Sequence, residues 1–287
     1  MIKILWIFLL FFNVLFAKSN VTYSITDTTI ANAKTMLFDL GIDDDIDRAY
    51  VAFLGKRYPF FKKPNDGGYY AFVPTSYYQK PKATKATIVY IIDGSKHYIS
   101  TPIDIVDGHY KSEKLTVNPK KAKFDKAARN RIAKESKEAK KIYTTYTQTL
   151  YIKEPFSFPL HSKITSAFGN KRLFNGSLKS YHSGTDFRAK TGTPLIAANR
   201  GKVVLVKNRF FAGNSVIIDH GQGIYSGYYH MSKFAVKVGQ MVEKGEVLGY
   251  AGATGRVTGP HLHYTFHIGG VCVDPMQFME VSDFLFY

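Results

Sequence analysis

The sequence predicts a mainly β protein. A C-terminal antiparallel β-sheet or barrel-like domain follows a small β-sandwich-like module and a connecting helix. Three observations carry this reading. Short runs rich in aromatic and β-branched residues recur about every ten positions, separated by Gly, Pro, Asn and Asp. Only one long stretch, near 123–142, keeps apolar residues at helical spacing. Strands do not alternate with helices, which argues against a doubly wound nucleotide-binding fold.

Residues 1–17 read as a secretory signal. Lys3 supplies an early positive charge, residues 4–12 are an unbroken apolar run, and Ala17 is a small residue suited to cleavage. The run is shorter than the roughly 20 residues a membrane span requires, so no stable span is expected after cleavage. Residues 18–118 form the expected N-terminal β module, with strands near 20–30, 49–54, 69–73, 87–92, 96–99, 103–106 and 115–117. Residues 32–40 carry no decisive pattern. Turns are marked by 64–68, Pro74 and Asp93-Gly94. The acidic run 43–47 lacks the spacing of a calcium loop.

A basic helical linker is expected over 119–143. Phe124, Ala128 and Ile132 lie four apart, and Ala139 and Tyr143 continue the stripe. Asp125 with Arg129, Arg131 with Glu135, and Lys134 with Glu138 are spaced for helix-surface ion pairs. The remaining chain, 144–287, is the expected catalytic domain. Its clearest strands are near 203–206, 214–218, 225–229, 247–250 and 263–267.

The formal net charge is +17 over 287 residues. Between Lys111 and Lys141 stand twelve Lys or Arg against four acidic residues. An exported basic protein suits an anionic partner. No zinc-finger spacing or basic-aromatic nucleic-acid module is present, so no nucleic-acid partner is expected. Cys272 is the single cysteine, which excludes an intrachain disulfide and a thiolate-rich zinc site.

The chemistry concentrates near the C-terminal end. His182 precedes Asp186 by four residues, and His261 and His263 lie two apart, on one face if that segment is a strand. Two imidazoles and a carboxylate with an open position are what a catalytic zinc requires. Spacing leaves open which of His261 and His263 binds metal. His230 follows a strand and is placed to reach the same site. No HExxH motif is present, so a general base must come from a histidine such as His230 or His261.

These motifs resemble the lysostaphin/LytM type of zinc metallopeptidase. The resemblance covers about residues 159–274 and rests on Arg172-Leu173-Phe174-Asn175-Gly176, His182-Ser183-Gly184-Thr185-Asp186, Gly192-Thr193-Pro194, Tyr229-His230-Met231, residues 255–263 and Val273-Asp274-Pro275. It implies one Zn2+ per chain, held by His182, Asp186 and His263, with His230 and His261 as catalytic histidines. It also implies hydrolysis of peptide cross-links in peptidoglycan: D,D-endopeptidase activity, with D,D-carboxypeptidase activity beside it, in the Gram-negative periplasm. Cell-wall remodelling and cell shape would follow. Arg172, Asn175 and Tyr228 are the expected substrate-binding residues, with peptidoglycan peptide stems as partner. The N-terminal module is expected either to occlude the groove intramolecularly or to space the catalytic domain.

Two other readings compete. A non-catalytic wall-binding activator of another hydrolase would not need the complete ligand set. A biotinyl- or lipoyl-like carrier is suggested by the glycine-punctuated segment 236–249, but it leaves the histidines unexplained.

Overall fold

The structure, a computed structural model, describes residues 10–16, 19–42, 46–64, 67–115, 124–174 and 177–286. It divides into a unit of residues 1–108 with 280–287, and a second unit of residues 109–279. The first nine residues of the expected signal lie outside the described set. Leu10–Phe16 forms a strand antiparallel to Ser19–Ile25.

In the first unit, two five-stranded sheets share one core. One runs in the order Leu10–Phe16, Ser19–Ile25, Thr35–Ile42, Tyr69–Pro74, Phe61–Lys62, and the other Thr29–Ala31, Ser95–Val106, Lys82–Ile92, Arg48–Phe53, Lys56–Pro59. Val21, Phe38 and Leu40 from the first sheet pack with Val51, Ile88 and Ile103 from the second. The Thr35–Ile42 strand falls where the sequence pattern was indecisive. Five of its eight residues are buried, Met36, Leu37 and Phe38 among them in succession, and a buried central strand loses the polar alternation that marks a half-exposed one.

The segments expected at 96–99 and 103–106 are one continuous strand, Ser95–Val106. Pro102 does not break it. On its outer side the strand pairs only at 104–106, so the missing proline N–H falls on a free edge. The Asp93-Gly94 turn has φ of 48° and 71°, the left-handed pair a two-residue hairpin needs.

The second unit is built on an eight-stranded antiparallel sheet. Its path runs Ile164–Ser166, Thr185–Arg188, His261–Ile268, Ile224–Met231, Gly213–Gly221, Gly201–Arg209, Met241–Val242, with Val271–Val273 paired beside His261–Ile268. The two ends of the path do not pair among the described residues, so the expected barrel-like closure is corrected to an open sheet. Alternation gives it two distinct faces. Leu262, Tyr264, Phe266 and Tyr228 enter an aromatic core where Phe266 meets Phe156 and Phe278. The opposite face carries His261, His263, Thr265 and His267.

Helix α1 (Lys126–Tyr143) covers part of that second face. Glu135, Ala139 and Tyr143, four apart, are its buried residues. Ala139 and Tyr143 pack with Leu205, Ile217, Tyr225 and Tyr229 of the sheet. Of the ion pairs expected along the helix, Arg131–Glu135 forms at 2.7 Å. Glu138 instead pairs with Lys207 at 2.8 Å, and Asp125 caps the helix by accepting from the Ala128 amide at 2.7 Å. The first change follows from tertiary context, a strand lysine beside the helix, and the second from the free amides of the helix's own N-terminus, which a capping carboxylate satisfies.

Candidate metal and catalytic site

The site grows out of strand register. Asp186 lies directly opposite His263 in the pairing of Thr185–Arg188 with His261–Ile268, and Tyr229 lies opposite His263 on the other side. Directly opposed residues share a face, so the sheet sets Asp186, His263 and Tyr229 in one row. His182 arrives from the hairpin Lys171–Phe174/Ser177–Tyr181. Its amide donates to the Asn170 carbonyl at 2.9 Å, and its own carbonyl accepts from Gly169 at 2.8 Å.

Three donor atoms converge. His182 Nε2 is 3.0 Å from Asp186 Oδ1 and 3.0 Å from His263 Nδ1, and His263 Nδ1 is 2.7 Å from Asp186 Oδ1. His182 Nδ1 donates to the Ala167 carbonyl at 2.8 Å, which leaves Nε2 as a bare lone pair. Three lone-pair-bearing atoms this close repel one another unless a proton or a metal cation sits among them. Tetrahedral ligands about 2.0–2.1 Å from zinc lie roughly 3.3 Å apart, so small outward shifts of these donors fit the ion. His182, Asp186 and His263 are all buried and form the only such cluster among the described residues. The donor set is that of one zinc ion.

Burial alone would raise the Asp186 carboxyl. The adjacent His182 and His263 imidazoles outweigh it and hold the group well below the usual carboxylate range. Burial pushes His263 down to about 4, the neutral form a metal ligand must have. Glycine is required at 184. A Cβ there would stand 2.5 Å from the Tyr264 carbonyl and 2.7 Å from His263 Nε2.

His230 reaches the site by an irregularity. Plain alternation after Tyr229 would send its side chain to the opposite, core face. The register shifts between the Val216–Tyr228 and Asn214–Met231 pairs, and His230 has φ of 62°. The bulge and left-handed backbone return the imidazole to the metal face, 4.9 Å from His261 between ring centroids. That φ costs a non-glycine residue of the order of 1–2 kcal/mol, a strain typical of functional positions. His230 Nδ1 donates to the Thr254 carbonyl at 2.9 Å, and His261 Nδ1 to the Gly259 carbonyl at 2.9 Å. Each therefore presents Nε2 as an acceptor, and His261 Nε2 stands 3.7 Å from Asp186 Oδ1. Burial, reinforced by the charge of His263, lowers His230 to about 3.

The expected substrate-binding residues fare differently. Arg172 lies close enough for its charge to depress His263, and its Nε is buried without a hydrogen-bond partner among the described residues. Asn175 lies outside the described residues. Tyr228 is corrected: it is 0% exposed and faces the core, where its hydroxyl accepts from the Ala198 amide at 2.9 Å. Its strand parity is opposite to that of His263, so it cannot wall the groove. Its neighbour Tyr229 is on the metal face, stacked on His263 at 5.6 Å and 20°. Sequence reasoning gave Tyr229 no role of its own, and the carbonyl acceptors of Ala167, Thr254 and Gly259 carry no side-chain signal. Desolvation pushes the Cys272 thiol up to about 12, and it donates to the Ser183 carbonyl at 3.2 Å.

Comparison with known proteins agrees with this geometry. The profile of peptidase family M23 matches residues 180–275. Peptidoglycan DD-endopeptidase ShyA of Vibrio cholerae is 43% identical over 123 residues, which are 42% of this chain and 29% of that protein. DD-carboxypeptidase/endopeptidase Mpg of Neisseria gonorrhoeae is 38% identical over 118 residues, 41% of this chain and 27% of that protein. The chain thus spans less than a third of the length of these curated relatives. A crystal structure from Pseudomonas aeruginosa assigned to peptidase M23 superposes with a TM-score of 0.65 at 28% identity, covering 87% of this chain and 94% of that one. With the His182–Asp186–His263 cluster inside the matched segment, the chain belongs to peptidase family M23.

Proposed function

We propose that the protein is a zinc-dependent hydrolase of peptide cross-links in peptidoglycan, acting as a D,D-endopeptidase with D,D-carboxypeptidase activity beside it. The observation that carries this reading is the convergence of a neutral-imidazole and carboxylate ligand set with two further histidines that both present Nε2. The named activities of the Vibrio and Neisseria relatives support the substrate class.

When bound, zinc polarises the scissile carbonyl and makes water acidic enough to lose a proton near neutral pH. The chain supplies the rest. His182 and His263 enter as neutral donors, and Asp186 offsets one unit of the dication's charge. One of His261 Nε2 and His230 Nε2 accepts the proton of the attacking water. The imidazolium so formed then stabilises the oxyanion and returns the proton to the departing amine. Arg172, whose buried Nε has no partner among the described residues, is placed to take a substrate carboxylate. Asn175 is proposed as a further substrate-binding residue.

The domain partition 1–17, 18–118, 119–143 and 144–287 is proposed with it, as are export by the N-terminal signal and a periplasmic location. No helix among the described residues is long and apolar enough to cross a membrane. The N-terminal module is proposed to restrain the enzyme. A chain beginning at His109 should then cleave faster than the mature protein. Beginning at Thr144 would strip α1 from Leu205, Ile217, Tyr225 and Tyr229, so the longer form is the proper comparison.

The reading is tested on purified muropeptides by mass spectrometry. Cross-linked dimers should fall to monomers, and zinc removal should stop the reaction. Intact dimers in the presence of zinc would leave only the wall-binding activator.

A further inference from the structure

The two metal-face imidazoles are anchored differently. His182 is oriented by the Ala167 carbonyl on its second nitrogen. His263 uses Nδ1 toward the cluster, and among the described residues nothing hydrogen-bonds its Nε2. What lies against its ring is the face of Tyr229, at 5.6 Å and 20°. Tyr229 is itself fixed through its hydroxyl, which is 2.6 Å from the Tyr143 hydroxyl and accepts from Thr265 Oγ1 at 3.3 Å. Tyr143 is the last residue of α1. It stacks on His267 with ring centroids 3.6 Å apart and meets Tyr225 edge-on at 5.8 Å. Eight residues earlier Glu135, also buried, accepts from the Phe210 amide at 2.8 Å and so fastens the helix to the sheet.

We infer that α1 is a positioning element of the metal site: the buried Tyr143–Tyr229 hydroxyl pair holds the Tyr229 ring against His263 and so sets the orientation of that ligand. The inference rests on the zinc-site reading above and gives it a support outside the ligand set. A metal ligand whose second nitrogen lacks a fixed partner gains its preorganisation from packing, and loss of outer supports costs metal sites about 10–100-fold in affinity or activity. Tyr143 and Tyr229 act through His263 and are not among the converging donors, so they are positioning residues rather than catalytic ones.

The competing explanation is ordinary core packing, and zinc affinity separates the two. Tyr143→Phe and Tyr229→Phe keep both rings and remove the hydroxyl pair. Measured by chelator competition on the full chain, each should bind zinc about tenfold more weakly than the unchanged protein, at the lower end of the range for such supports. The double variant should be no weaker than either single one, because both remove the same bond. Activity should return at high zinc. Ile217→Val, in the same cluster but away from the hydroxyls, should lower the melting temperature and leave zinc affinity unchanged. Affinities of both Tyr→Phe variants within about twofold of the unchanged protein, on the same scale, would overturn the inference. Should a variant fail to fold, the unchanged protein decides: flipping of the Tyr229 ring, followed by NMR, should slow when zinc is added, and an unaltered flip rate would reject the coupling. If the unchanged protein binds no zinc, the zinc reading itself fails, which is a distinguishable result.

Discussion

Asp186 is the one anion in the cluster, and its two imidazole partners already hold it ionised against burial. Asp186→Ala should therefore reduce zinc affinity by at least about 100-fold, beyond what loss of an outer support does. Elemental analysis after dialysis checks it. His230 and His261 should separate from the ligands by the opposite behaviour. Each →Ala variant is expected to keep stoichiometric zinc while losing roughly 10²–10⁴ in turnover, the usual worth of a positioned acid–base group. Zinc lost from either would mean that a ligand had been taken for a catalyst. At this scale the histidine set was legible because residue type and spacing carry it. Tyr228, expected to bind substrate, instead faces the core, because parity relative to His263 depends on pairing between distant strands, which no local pattern contains.

At the scale of elements, α1 shows how a correct period can leave an element's purpose open. Its apolar stripe and the Arg131–Glu135 pair were readable, and its partner was not. The sheet face it covers becomes apolar only when Leu205, Ile217 and Tyr225 from three strands are brought together. The side away from that face exposes Lys126, Arg129, Lys134, Lys137, Lys140 and Lys141. Reversing Lys134 and Lys137 to Glu should weaken sedimentation with purified anionic wall at low salt and leave muropeptide cleavage unchanged. The difference should shrink at physiological ionic strength, where exposed charges are screened over about 8 Å. Equal binding by the reversed and unchanged proteins at low salt would remove the helix from wall attraction.

For the whole molecule, stability should depend on acid through histidines buried away from the metal. His220 donates from Nδ1 to the Arg200 carbonyl, 2.8 Å away, and lies 2.7 Å from Ser226 Oγ. Burial lowers it from 6.5 to about 4. The unfolded chain then binds a proton that the folded chain refuses. The stabilisation is full above pH 6.5 and is lost as pH falls toward 4. One such group is worth at most about 3 kcal/mol across that window. Chelator-treated protein should show its urea midpoint falling between these pH values, and His220→Gln should flatten part of the fall. A midpoint independent of pH there would contradict the burial argument. At the same scale, the His109-start chain tests whether the first unit restrains catalysis, with equal rates discarding restraint.

By itself the sequence determined what is local. Short strands punctuated by glycine, the Asp93-Gly94 hairpin, one amphipathic helix and the ordered histidine and aspartate motifs all follow from side-chain type and spacing along a few residues. The tertiary structure decided what depends on register and on surfaces assembled from distant segments. The bulge that turns His230 to the metal face, the parity that buries Tyr228 and presents Tyr229, the openness of the sheet and the docking of α1 all required strands to be paired first. A one-residue slip in register would reverse every face, so these features exist only in the folded molecule.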